Sequence, residues 1–369
     1  ALTTREVITL EKWKKLLTPE ADNWDDKLKQ LVLNPSNNFK KDQNDNYIDH
    51  SAEEAKSFAH QVNLDIITQH LPLLLDFPEQ KQTWVFAKEL AICNKNSSDF
   101  LNALFDRLKT RKREYSQFLK GYLYGVNSVS QDTWHEALKH IGNEPELQSY
   151  YCEALTTGKF DTNQLNKLIE LISQNKITVS STLSLTIGRV TDHLSESEIS
   201  NFCMSLGKLK GDAIWASLDI LYMYIRAKDN LDLESVKYAL SFLTLNVSFA
   251  KGEKLRSHDG YGWLQSVNRL ISESDPTFAG NLCDKILVQV INKDVDYSDQ
   301  WDWLYPAFYE AISKHGSSIW PNVEKHLLGL NELELGVSLG ASKCTAPIAA
   351  SSSRTEHYAF IFAPLFSRY

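Results

Sequence analysis

The sequence predicts an all-α protein built from antiparallel helix pairs stacked in series, in the manner of an α-solenoid, with a short β-hairpin near the C-terminus. The chain has only 15 glycines and 10 prolines in 369 residues. A β-sandwich or barrel needs many more turn residues, so this composition favours helices with short connections. The length exceeds the roughly 250–300 residues at which one core stops growing, which indicates two lobes or an elongated stack.

Capping signals show where the helices begin. Thr18-Pro19-Glu20 combines a cap with a proline at the first helical position. Ser51–Glu54, Asp161–Gln164 and Ser195–Glu198 have the spacing of a capping box, in which two side chains each satisfy a free backbone amide. The predicted helices begin near positions 51, 79, 97, 112, 131, 144, 161, 179, 196, 212 and 232.

Apolar residues between these caps recur at intervals of three and four, which places them on one face of a helix. The segments with this spacing are Leu165–Ile172, Val236–Leu243 and Ile214–Ile225. The last of them has the widest apolar face, and we expect that helix to be mostly buried.

The helix starts follow one another at about 14 to 20 residues, so a helix pair repeats roughly every 34 residues. This rhythm resembles that of the HEAT, armadillo and tetratricopeptide solenoids over about residues 51–333. The resemblance is one of architecture. It implies a long groove for a partner and assigns no functional residue.

Changes in composition divide the chain into four segments. Residues 1–50 are predicted to form a helical hairpin and a polar linker, 51–250 a helical-repeat domain, 251–335 further helical pairs, and 336–369 an Ala/Ser-rich tail. Within the tail, aromatic residues alternate with period two, so 345–350 and 357–363 are predicted to pair as a hairpin. No convincing strand pattern precedes residue 340.

Charge and cysteine usage narrow the class of protein. The formal charge of −8 argues against a broad nucleic-acid or membrane-surface footprint. The odd cysteine count and the lack of a Cys-x-x-Cys motif predict neither a disulfide framework nor a zinc knuckle. We therefore expect reduced core cysteines, a cytoplasmic location, no membrane span and no cofactor. The five cysteines are Cys93, Cys152, Cys203, Cys283 and Cys344.

Two motifs suggest metal chemistry. His258-Asp259 matches the doublet of all-helical metal-dependent phosphohydrolases, with His193 and Asp275 as further ligands, but it lies in a glycine-rich stretch where a surface loop is favoured. Residues 42–53 match part of a calcium loop, but Tyr47 occupies the position that needs glycine. A polar linker ending in a helix cap is the favoured interpretation.

A basic cluster and a tryptophan-rich segment are the candidate binding residues. The basic side chains suit phosphates or an acidic partner, although the aromatic residues that follow them have core spacing. The tryptophans suit a binding hot spot, although packing between helices is favoured. The residues are Arg107, Lys109, Arg111, Lys112 and Arg113 in the cluster, and Trp301, Trp303 and Trp320 in the segment.

We expect from these observations a non-catalytic scaffold or sensor module that binds a protein or peptide. The helix rhythm and the tryptophan-bearing C-terminal pairs resemble the helical sensor regions of large bacterial defence and signalling ATPases. That resemblance implies an NTPase or effector domain elsewhere in the full-length protein. The alternatives are a phosphohydrolase built on His258 and Asp259, and a nucleic-acid binder that uses residues 107–113.

Overall fold

The computed structural model describes residues 23–41, 43, 45–94, 98–111, 116–209, 211–226, 233–250, 259–273, 276–291, 295 and 297–327. The chain divides into two compact units, Ala1–Ile177 and Thr178–Tyr369. The division falls inside the segment 51–250, which the sequence suggested as one domain. The described part of both units is predominantly helical, and its helices pack in pairs, so the predicted all-α class is confirmed.

Unit 1 contains nine α-helices and one small sheet among its described residues. A π-helical turn, Lys29–Leu33, continues the first helix, and a 3-10 turn, Gln148–Tyr150, precedes the eighth. The elements are α1 Trp24–Leu28, β1 Phe39–Lys41, β2 Tyr47–Asp49, α2 His50–Ala59, α3 Leu64–Asp76, α4 Thr83–Cys93, α5 Ser98–Lys109, α6 Gln117–Val129, α7 Gln131–Asn143, α8 Tyr151–Leu155 and α9 Thr162–Ser173.

The segment predicted as a polar linker folds into an antiparallel hairpin. β1 pairs with β2, with Phe39 opposite Asp49 and Lys41 opposite Tyr47. Two strands therefore precede residue 340, in a region whose sequence shows no period-two pattern. Strands of three residues, exposed on both faces, are too short to produce a period-two pattern. The hairpin predicted in the C-terminal tail lies outside the described residues.

The helix caps agree with the sequence at two of the three predicted boxes. Reciprocal capping boxes begin α9 at Asp161 and the helix after Ser195. The cap of α2, however, is Asp49, whose carboxylate accepts from the Ser51 amide, so the predicted cap at Ser51 is wrong. A helix that the sequence analysis missed, α3, begins after Asn63, whose side chain accepts from the Asp65 amide.

In unit 1, helices pack on their next-but-one neighbours. α2 packs on α4 and α4 on α6, while α3 packs on α5. The Phe58 and Phe86 rings stack at 5.8 Å between α2 and α4. Such alternate packing is compatible with a helical repeat.

Unit 2 begins with a 3-10 helix, Val179–Thr186, at the position where an α-helix start was predicted. Its described α-helices are α10 Glu196–Gly207, α11 Asp212–Arg226, α12 Leu233–Asn246, α13 Asp259–Glu273, α14 Pro276–Ile291, α15 Tyr297–Asp299 and α16 Tyr305–Leu327. A π-helical turn, Gln300–Leu304, joins α15 to α16.

The core of unit 2 is aromatic, and its helices also pack on next-but-one neighbours. α10 packs on α12, α11 on α13, and α14 on α16. Phe249 makes edge contacts with Trp215 and Trp263 at 5.1 and 4.9 Å between ring centroids. Each indole N–H donates to a backbone carbonyl, so these rings are buried with their polar atoms satisfied. The wide apolar face of α11 is buried, as predicted.

None of the described helices combines the length and the apolar character that crossing a lipid bilayer requires.

Candidate functional site

The described members of the predicted basic cluster are held by carboxylates. Arg107 and Arg111 both pair with Asp76, at 3.1 and 2.9 Å, and the Arg111 side chain is only 3% exposed. Arg111 also donates to the Leu75 carbonyl. Lys109 pairs with Asp106 and Glu144. These three cations therefore act within unit 1 as links between α5 and its neighbours, while Lys112 and Arg113 lie outside the described residues.

The predicted tryptophans have different surroundings. The Trp303 ring lies against Gly260, where an added Cβ would collide with the indole. This contact joins the π-helical turn to the start of α13. Trp320 is half-buried on α16, and the side chain of Trp301 is outside the described residues. Trp303 therefore packs against the start of α13.

The predicted metal motifs are only partly described. Asp259 is buried at the start of α13, whereas His258 and Asp275 lie outside the described residues. In the calcium-like segment, Asp42 and Asn44 lie outside as well. Asp49 of that segment accepts from Ser51 and Gln82, and hydrogen bonding holds its pKa below the usual value. Its carboxylate therefore serves the cap of α2.

An aromatic and basic patch lies where α4 meets α6. The Trp84 and Tyr124 rings lie 5.4 Å apart, and Tyr124 is 40% exposed. The Lys88 amine lies over both rings, 5.4 Å from the Trp84 centroid and 5.0 Å from the Tyr124 centroid. We call these three residues the α4–α6 patch. It combines two large ring surfaces with a cation that is held by the rings.

Two glycines bring the helices of this patch together. A Cβ at Gly121 would lie within 3 Å of the Trp84 backbone, and one at Gly125 within 3 Å of the Lys88 carbonyl. Because neither residue has a side chain, α6 approaches α4 at van der Waals distance. This approach is what allows Tyr124, on the outer face of α6, to reach Trp84.

A second cluster joins the C-terminal ends of α2 and α4. His60 is the C-cap residue of α2, and Glu89 and Cys93 lie one turn apart on α4. The distance from His60 Nε2 to Glu89 Oε1 is 3.0 Å, from His60 Nε2 to Cys93 Sγ 3.6 Å, and from Glu89 Oε1 to Cys93 Sγ 4.0 Å. These three atoms form a compact triangle of nitrogen, oxygen and sulfur donors that could hold a metal ion.

The same cluster is poorly arranged for nucleophilic catalysis. Cys93 Sγ lies 3.0 Å from Nδ1 and 3.6 Å from Nε2 of His60, so it sits beside the ring. A thiol in line with one ring nitrogen would be much farther from the other. Burial and the Glu89 charge raise the pKa of the Cys93 thiol, which disfavours a free thiolate nucleophile.

Neither the α4–α6 patch nor the His60 cluster was predicted from the sequence. Tyr124 was assigned to the core because of its helical spacing, and Phe118 and Tyr122 of the same helix are indeed buried. Gly121 and Gly125, four residues apart on one face of α6, were the available signal of a close helix contact. Glu89 and Cys93 have the same spacing on α4, but His60 is too distant in sequence for a motif.

No protein-family model, curated protein or solved structure matches this chain.

Proposed function

We propose that the chain is a non-catalytic helical-repeat scaffold, of the HEAT or tetratricopeptide type, that binds a protein partner through a peptide segment. The observation that carries the proposal is the α4–α6 patch, in which a tryptophan, a tyrosine and a lysine meet on the surface of adjacent, alternately packed helices. Tryptophan and tyrosine are the side chains most enriched in binding hot spots.

The composition of the patch indicates the chemistry of the partner. The aromatic rings offer flat apolar surface, and the Lys88 amine between them offers a positive charge. Lys120 lies one helical turn before Tyr124 and adds a second cation to the same face of α6. The whole chain is acidic, so this patch is a local basic surface on an otherwise negative protein. Its cations and rings suit a segment that carries an aromatic side chain next to carboxylates.

Alternate helix packing supports the architectural part of the proposal. In each unit, helices two apart in sequence are in contact, so that successive pairs extend the same two layers. We also propose that the chain is a sensor region of a larger bacterial defence or signalling protein. The support for this part is the helix rhythm of the sequence, which resembles that of the sensor regions of such ATPases.

We expect peptides selected from a random display library on the full chain to carry aromatic residues beside Asp or Glu. Trp84→Ala should weaken a selected peptide at least about tenfold, the scale of a hot-spot truncation. Lys88→Glu should weaken it as well and should reduce the decrease of affinity with salt, because Lys120 remains as a cation on the same face. Fluorescence polarisation at two salt concentrations measures both effects.

Tyr238→Ala provides the matched control, because Tyr238 is an exposed aromatic residue of unit 2, at 68% exposure. This variant should bind the selected peptide like the wild type. The proposal fails if no peptide is enriched, or if the enriched peptides bind Trp84→Ala as tightly as they bind the wild type while circular dichroism shows both proteins folded.

A further inference from the structure

A cluster of metal-binding side chains lies apart from the α4–α6 patch. The geometry points to a zinc site formed by His60, Glu89 and Cys93 in unit 1. This inference is independent of the α4–α6 patch, because Trp84 and Lys88 lie on a different face of α4 from Glu89 and Cys93. Either one can hold or fail without the other.

The donor spacing fits a single small cation. Zinc binds nitrogen and oxygen at about 2.0–2.1 Å and thiolate sulfur at about 2.3 Å, so the donors of a tetrahedral site lie about 3.3–3.6 Å apart. The three edges of the triangle are 3.0, 3.6 and 4.0 Å. A turn of the His60 ring that aims Nε2 at the ion, with shifts of a few tenths of an ångström in the other two donors, brings all three atoms onto one ion.

The scaffold behind the donors is ordered by packing. Phe58 lies two residues before His60, and Phe86 lies three residues before Glu89. Their stacked rings join α2 to α4 close to the donors in sequence. Trp24 also stacks on Phe58, at 5.9 Å between ring centroids. Glu89 and Cys93 share one helix face, so the backbone holds two of the three donors in register.

The donor types select the metal. Calcium and magnesium bind through oxygen ligands, and a thiolate with an imidazole suits neither of them. Zinc accepts the combination of sulfur, nitrogen and oxygen. The charge of the zinc ion also stabilises the thiolate form of Cys93 and neutralises the carboxylate of Glu89. Without the ion, these two anions would repel each other across 4.0 Å.

The site offers three protein ligands and leaves one position for an outside ligand. The His60 side chain is 58% exposed, so the ring has room to turn Nε2 towards the ion. Three protein ligands with an open position are the arrangement of zinc sites that bind water or an anionic ligand. The inference therefore assigns zinc with an exchangeable water in the fourth position.

Cobalt and zinc titrations of the chelator-treated full chain test this inference. We expect one cobalt ion per chain, with the near-ultraviolet charge-transfer band of thiolate ligation, and its displacement by one equivalent of zinc. Cys93→Ser should abolish the band. His60→Ala and Glu89→Gln should each weaken zinc binding at least about tenfold. Zinc should also raise the thermal midpoint of the wild type and should not raise that of Cys93→Ser.

Two further variants serve as controls. His193→Ala removes an exposed histidine of unit 2, and Cys344→Ser removes the thiol that lies outside the described residues. Both should retain the wild-type cobalt band and zinc affinity. The inference is overturned if neither metal binds, if Cys93→Ser keeps the band, or if Cys344→Ser loses it.

Discussion

Replacing Gly125 with alanine is expected to lower the free energy of unfolding by about 1–3 kcal/mol, the usual cost of forcing extra volume into a packed contact. The added Cβ would lie within 3 Å of the Lys88 carbonyl oxygen and of the Ala91 side chain. A backbone carbonyl inside a helix cannot rotate away, so α6 must move off α4. Urea unfolding followed by circular dichroism measures the loss.

The displacement should also affect partner binding. Tyr124 is next to Gly125 and meets Trp84 only because α6 approaches α4 closely. Peptide affinity is therefore expected to fall in Gly125→Ala even under conditions in which the variant is fully folded. Gly121→Ala should act in the same way, because its Cβ would meet the Trp84 backbone.

Gly316 of α16 is the matched control. A Cβ there would lie 3.6 Å from the Ile312 side chain, an ordinary contact. Gly316 follows the kink at His315 in α16, so helix propensity contributes little at this position, and Gly316→Ala should be close to neutral. If both substitutions had the same effect, the close approach of α4 and α6 would not be a tight packing contact.

Glu153 is expected to make the stability of the chain depend on pH in a direction opposite to that of most carboxylates. This side chain of α8 is buried, and burial raises its pKa to about 8. The Ser116 amide donates to both carboxylate oxygens, at 3.2 and 3.1 Å. These hydrogen bonds, together with the charges of Lys120 and Arg111, offset part of the rise in the pKa.

The sign follows from proton linkage. Between its ordinary pKa of 4.5 and about 8, Glu153 holds a proton in the folded chain and loses it in the unfolded chain. The free energy of unfolding should therefore fall as pH rises through this window, by roughly 1.4 kcal/mol per unit of pKa shift at most. Glu153→Gln removes this titration, so its stability does not fall in the same way. The free energy of unfolding of the variant, relative to that of the wild type, should therefore rise by a few kcal/mol as the pH is raised from 5 to 8.5.

Urea unfolding of both proteins at the two pH values tests this expectation, with amide exchange of α6 and α8 as a local measure. Glu136→Gln is the control, because Glu136 is exposed on α7. Its difference from wild type should change little with pH. If the Glu153→Gln difference were also constant, the buried carboxyl would titrate at its ordinary pKa in the folded protein.

The sequence predicted the helices well where capping chemistry marks their starts. α7, α10 and α11 begin within a residue of their predicted positions, and the boxes at Asp161 and Ser195 are formed as expected. The start of α3 was missed because its cap, Asn63, lacks the glutamate or glutamine that completes a box. The hairpin of β1 and β2 was missed because its exposed strands carry no apolar alternation.

The two sites could be predicted less well, for a physical reason. Capping and amphipathic spacing are local, whereas the α4–α6 patch and the His60 cluster depend on which helices pack together. Tyr122 and Tyr124 belong to the same helix, yet one is buried and the other is 40% exposed. Helical spacing places them on nearly opposite faces of α6, and the packing of α6 on its neighbours decides which of the two faces is buried. Likewise, His60 meets Glu89 across 29 positions of sequence because α2 packs on α4.

The same packing gives α4 a central role in unit 1. One face presents Trp84 and Lys88 beside Tyr124, and another presents Glu89 and Cys93 beside His60. A partner segment and a zinc ion would therefore bind to the same helix at separate places. Zinc titration in the presence and absence of a selected peptide shows whether the two events are coupled.

Amide hydrogen exchange, with and without a selected peptide, tests most directly the claim that the α4–α6 patch binds a partner segment. We predict that the peptide slows exchange in Thr83–Cys93 and Gln117–Val129, and that Trp84→Ala removes this protection. Protection confined to the helices of unit 2, or unchanged by Trp84→Ala, would contradict the account.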